Sequence, residues 1–341
     1  MAPSLSIGVA LTLLAGLMSG NCMLPMKFNR SWKWENSWLV FSIVSLVILP
    51  WLLALVLVDH LSQTYSALSL LQLAIPFVFG MGWGIAQVLF GLSVQRLGLG
   101  LAYAIIVGLG ALLGTLVPLF VQHRSQVSSR ALSEILSGVV VMILGIALTT
   151  WAGQIREHRT GQHPIVETHS KPENHYLAAV LMAILCGIMA PMLNFSFAFG
   201  QDIAAQAVRL GNPPQYAAYA VWPVGLTGGF LPNIAYSLYL LSKNRSMRSF
   251  GRSSTDAILA ILMGALWMGA FALYGMSSSY LGSLGTSIGW GLFQIFMIMT
   301  ATLSGVVTGE WKRSSLKLRL LLASGFVCLM GATALLAIGN H

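Results

Sequence analysis

Five neutral amides, Asn21, Gln87, Asn194, Asn233 and Gln294, stand inside long apolar stretches of a 341-residue chain. In hydrocarbon an unpaired amide costs on the order of 1–3 kcal/mol, so each needs a partner. Some of them are expected only to tie one helix to the next, at about 0.6 kcal/mol per contact. As a set they fit a polar cavity, because polar groups in a membrane segment turn inward and often line a substrate path. Aromatic residues stand at helical spacing beside them. Trp83, Gln87 and Phe90 are spaced i, i+4, i+7, as are Trp267, Phe271 and Tyr274, while Thr286, Trp290 and Gln294 are spaced i, i+4, i+8. Amides fork to hydroxyls, and flat rings cover the apolar face and methyl group of a sugar. The expected substrate-binding set is Asn21, Trp83, Gln87, Asn194, Trp267, Tyr274, Trp290 and Gln294.

Proton chemistry has fewer places to occur. The chain has nine acids, and none lies in the middle of an apolar stretch; nor does any histidine. Asp202, just past the sixth stretch, comes nearest. Arg209 is seven residues on and shares its face if the helix continues, which makes the two a structural pair or a proton relay. No metal or other cofactor is expected. Cys22, Cys186 and Cys328 lie in apolar helices, and the loop histidines His123, His158, His163, His169 and His175 show no firm ligand spacing. No paired carboxylates or His-rich helices indicate an enzyme.

These residues must be positioned by membrane helices. The chain is 56% hydrophobic and 8% charged, against about 25% charged in a soluble domain. Ten stretches are long enough to cross hydrocarbon: about 5–24, 38–58, 72–94, 99–121, 132–152, 177–199, 215–241, 257–277, 283–307 and 318–338. Backbone pairing in lipid makes them helices, and unalternating hydropathy argues against a β-barrel. The first stretch lacks the basic n-region and cleavage site of a signal peptide. Of 18 basic residues all but Arg124, Arg130 and Arg209 fall in the odd loops, which places those loops in the cytoplasm and both termini outside an inner (plasma) membrane. The net charge of +9 is thus a topology signal and a contact for anionic lipid rather than a nucleic-acid patch.

The chain also repeats itself. Phe79–Gly98, "FGMGWGIAQVLFGLSVQRLG", aligns without gaps on Met263–Gly282, "MGALWMGAFALYGMSSSYLG", with eight identities in 20, Trp83/Trp267 among them, where about one or two are expected by chance. A shorter echo links Leu13–Met18 with Ile184–Met189. The expected fold is all-α: ten transmembrane helices as a 5+5 inverted repeat, residues 1–153 and 176–341, joined by a solvated cytoplasmic linker at 154–175. The cavity is expected among the first, third, fourth, sixth, eighth and ninth helices, with the fifth and tenth peripheral. The two Trp faces should look at each other across the pseudo-axis.

The stretches "PMKFNRSWKWE" (25–35), "ILPW" (48–51), "FGMGWGIAQVLFGL" (79–92), "GTLVPL" (114–119), "AGQIRE" (152–157) and "GEW" (309–311) resemble the L-rhamnose–proton symporter family of the drug/metabolite transporter superfamily, in order and over nearly the whole chain. The resemblance implies import of a deoxyhexose with a proton. It puts Gln87 at the family's amide position and Lys27 and Glu35 at its basic and acidic positions around the first cytoplasmic loop, which makes Glu35, beside Asp202, a candidate for coupling. Rhamnose-transporting members are richer in ionisable groups where this chain has Asp202 and Thr286. The alternatives are a superfamily exporter of drugs or amino acids, whose often charged substrates fit these amides poorly, a membrane enzyme, or a purely structural protein.

Overall fold

Lipid leaves an apolar chain one way to pair its backbone without a closed sheet, and that is the helix. The computed structural model describes residues 4–160, 173–312 and 314–340. Among them ten helices are long and apolar enough to cross a membrane: α1 (Leu5–Phe28), α2 (Trp34–Leu57), α3 (Leu70–Leu97), α4 (Gly100–Gln122), α5 (Ser129–Arg156), α6 (Tyr176–Arg209), α7 (Pro214–Lys243), α8 (Ser254–Tyr280), α9 (Gly282–Val307) and α10 (Leu316–Ile338). No strand occurs among the described residues. Leu55, Val140, Leu181 and Val327 are among many large apolar side chains exposed on the outside of the bundle, where lipid would cover them.

The helices fall where the apolar stretches do, and α6 differs most. It breaks at Ala190–Pro191 and again at Gly200, then runs on as Gln201–Arg209. Proline removes a backbone donor and crowds the preceding turn, which accounts for the first break. The last piece is amphipathic, burying Ile203, Ala204 and Ala207 and exposing Asp202 and Arg209, so an apolar count stops short of it. Helix also continues from α5 to Thr160, into the stretch expected as linker. Residues 161–172, with His163 and His169, lie outside the described residues.

Packing explains the glycines of the repeated segment. Gly80 of α3 backs onto Gly225 of α7, Gly84 onto Gly229, and Gly228 onto Phe77. The two backbones touch there, and any side chain would collide. Elsewhere α1 lies against α8 and α9, and α6 against α3 and α4. A shift of five in helix number turns the first pairing into the second. The pairs α2–α7, α4–α9 and α5–α10 map onto themselves under the same shift.

Candidate substrate site

The repeated tryptophans meet. Trp83 of α3 and Trp267 of α8 are buried and stacked, with ring centroids 5.4 Å apart and planes 25° apart. From Trp267 the rings continue to Phe271 (4.3 Å), Phe293 (5.3 Å) and Trp290 (5.8 Å), with Tyr274 beside Phe293 and Trp290. Four of the eight expected residues, Trp83, Trp267, Tyr274 and Trp290, thus belong to one aromatic cluster. Phe271 and Phe293 join them. So does Trp222 of α7, stacked on Phe197 of α6 at 4.7 Å and 8°. Trp222 was missed by sequence reasoning, although it stands 184 residues after Trp38, the same offset that relates Trp83 to Trp267.

Asn194 ties four helices on one flank of these rings. Its Nδ2 donates to the carbonyls of Gly114 in α4 and Thr286 in α9, both at 2.9 Å, and its Oδ1 accepts from the Tyr274 hydroxyl in α8 at 2.6 Å. The residue is fully buried and pairs both donors and an acceptor. Trp290 adds a bond from its indole N–H to the Gly110 carbonyl at 3.1 Å. Gly114 lets α4 approach closely enough for these contacts, because a side chain there would strike the Trp290 ring.

The other amides divide. Gln87, one turn beyond Trp83, is half-buried, and Gln294, one turn beyond Trp290, is buried; neither side chain makes a hydrogen bond among the described residues. Next on the Gln87 face, a side chain at Gly91 would meet nothing within 4 Å. Asn21 instead donates to the Leu17 carbonyl of its own helix and does not join the cluster. Asn233 is a strut, accepting from the Trp38 indole at 2.9 Å and donating to the Gly229 carbonyl.

The acids lie at the ends of the helices. Glu35 is buried in the first turn of α2 and accepts from Ser246 Oγ (2.6 Å) and Asn244 Nδ2 (3.0 Å). Asp256, at the start of α8 and fully buried, accepts the backbone N–H groups of Arg30, Ser31 and Trp32 at 2.8–3.0 Å. Glu310 bridges Lys27 (2.9 Å) and Arg156 (2.7 Å), and the Arg156 guanidinium lies over the Trp311 ring. The bond from Lys27, opposed by partial burial and helped by the Arg156 charge, holds the Glu310 carboxyl below the usual glutamate range. Asp202 is exposed and accepts one bond, from Gln72 Nε2. The expected Asp202–Arg209 pair does not form, and Arg209 turns to Gln206. Seven residues are two turns, roughly 10 Å along the axis, too far for an ion pair. No group of three His, Cys, Asp or Glu among the described residues could hold a metal.

Ten membrane-crossing helices packed around a buried aromatic cluster, with amides beside it, define the class of a small-molecule transporter. The chain belongs to the L-rhamnose-proton symport protein (RhaT) family, whose model matches residues 1–341. It is similar to the L-rhamnose-proton symporters of Citrobacter koseri (26% identical over 348 residues), Escherichia coli O1:K1 (26% over 349) and Shigella dysenteriae serotype 1 (26% over 349), each covering 99% of both chains. The family consists of transporters rather than enzymes, and this chain is a multi-pass membrane protein.

Proposed function

We propose that the chain imports L-rhamnose or a closely related deoxyhexose by proton symport across the bacterial inner membrane. The observation that carries this reading is the ring cluster running from the Trp83–Trp267 stack to Trp290, with Gln87 one turn beyond Trp83 and Gln294 one turn beyond Trp290, two amides with no hydrogen bond among the described residues. Aromatic rings suit the C–H face and methyl group of a deoxy sugar, and the amides remain to fork onto its hydroxyls. Asn21 is outside this group, and Asn194 serves it by tying Tyr274 to the backbone of Gly114 in α4 and Thr286 in α9.

Alternating access follows from the architecture we infer, two five-helix halves (1–153 and 176–341) inverted in the membrane. The packing of α1 on α8 and α9 and of α6 on α3 and α4 supports it, as does the meeting of the two tryptophans. The bias of basic residues to the odd loops supports both termini lying outside the cytoplasm. For the proton, Asp202 is the better carrier of the two acids. It is exposed and holds a single neutral hydrogen bond, whereas Glu35 is buried under two donors.

The test is uptake of labelled monosaccharides into proteoliposomes with an imposed inward proton gradient. L-Rhamnose should accumulate, and a protonophore should abolish accumulation. Uptake indifferent to the gradient would remove the symport; uptake of none of the deoxyhexoses would remove the sugar.

A further inference from the structure

Directly beside the Asn194 ties lies a cavity of about 430 Å³ that the aromatic cluster does not fill. It is set between the ends of α4, α6 and α8 and the starts of α7 and α9, on the face away from the basic loops. Its volume is in the range of small-molecule sites. Gln122, His123, Gln201, Ser278, Ser279, Ser283 and Thr286 line it, and the rest of the wall is small or apolar. No Asp, Glu, Lys or Arg is among its lining residues. His123 is its one titratable side chain, and the hydroxyls and amides around it suit a neutral polyol.

One buried polar atom of this lining has no partner among the described residues, the Thr286 hydroxyl; its residue is only 7% exposed, and its carbonyl is the one that receives Asn194 and Tyr274. The unpartnered indole N–H of Trp222 lies behind Gly275 rather than in the wall, 2.8 Å from where a side-chain carbon at Gly275 would stand. Nearby groups are half-used. Gln122 and Gln201 donate to the carbonyls of Ala198 and Phe197, and Ser278 and Ser279 donate to those of Gly275 and Met276. Their oxygens remain acceptors. Buried polar groups without partners are rare in native structures, and one in a wall of half-used hydroxyls and amides calls for a ligand with hydroxyls to give and receive.

We propose that this cavity is a second monosaccharide site, an antechamber separated from the aromatic cluster by the Asn194–Tyr274–Thr286 ties. The sugar rests there on the outward side, on Thr286 and the serines of α8, before those ties part. The inference builds on the sugar-transport reading and adds to it a site in series with the first.

Equilibrium dialysis of purified protein against labelled L-rhamnose tests it. The wild type should bind two sugars per chain. Ser283→Trp fills the cavity from its exposed rim and should bind one, with the affinity of the retained site unchanged; Ala205→Leu, from the opposite wall, should do the same if the first variant does not fold. Thr286→Val keeps the volume and removes the hydroxyl, and should weaken only the second class of site, by about tenfold. One sugar per chain in the wild type, or two in both filled variants, overturns the antechamber and leaves transport standing. No L-rhamnose bound by the wild type overturns the sugar reading as well.

Discussion

The two faces of this bundle are tied by different chemistry. On the face that carries the basic loops the ties end on carboxylates. Asp256 gathers three backbone N–H groups of the α1–α2 loop, Glu35 gathers Ser246 and Asn244, and Glu310 joins Lys27 to Arg156. On the opposite face, apart from the Asp202 carboxylate that receives Gln72, the ties are neutral amides. Asn212 exchanges bonds with the backbone of Asp59 and donates to Ala207, Asn340 donates to the Leu281 carbonyl, and Gln122 to that of Ala198. Hydrogen bonds with one ionised partner are roughly twice as strong as neutral ones. The difference teaches that the basic face is held more firmly and in a way that acid can loosen, while the opposite face is held mainly by neutral bonds.

Asp256 and Asn212 offer the widest contrast, since each fastens one connecting segment to another part of the chain. Asp256→Ala leaves three N–H groups without their acceptor and should cost about 2–3 kcal/mol in thermal unfolding of the purified protein. Asn212→Ala should cost about 1 kcal/mol, because its bonds are neutral. Equal losses would break the comparison.

Glu310 gives a smaller effect with a definite sign. Its carboxyl is held below the ordinary glutamate range, first by the bond from Lys27 and then by the Arg156 charge against partial burial. A depressed folded-state value stabilises above the unfolded value, about 4.3, and that stability is lost as pH falls through the folded-state value. The pair is partly exposed, so the amount is about 0.5–1 kcal/mol and shrinks in high salt. Melting of the wild type should therefore show an acid-sensitive component that Glu310→Gln flattens. An unchanged profile in the variant would move the acid sensitivity elsewhere.

Much of this was legible in the sequence, for physical reasons. Hydrocarbon enforces apolar length, so all ten crossings could be read, and the 184-residue offset pointed Trp83 and Trp267 at each other before any coordinates. Asn194 shows where legibility stops. An amide in an apolar stretch looks the same whether it meets a ligand or the carbonyls of Gly114 and Thr286, and those partners are 80 and 92 residues away. Asp256 was hidden in a similar way. An acid in the first turn of a helix is ordinary, and nothing local announces that its ligands are backbone groups 224–226 residues earlier. The second half of α6 was hidden by its own amphipathic pattern.

Gln87 lies between the two faces, and its effect on stability should be the smallest. It makes no hydrogen bond to the protein among the described residues, so Gln87→Leu breaks no interhelical tie. Substitutions away from such features usually stay within about 0.5 kcal/mol, and the melting temperature should hardly move. Affinity should move instead. A leucine there would leave a sugar hydroxyl desolvated and unpaired, at about 1–3 kcal/mol, or roughly 5- to 150-fold in L-rhamnose affinity. The two measurements on one preparation separate a ligand group from a strut. Destabilisation approaching that of Asn212→Ala, with affinity intact, would mean that the middle of the bundle is tied as its ends are. Gln87 would then leave the site, and the sugar would rest on the rings and Gln294 alone.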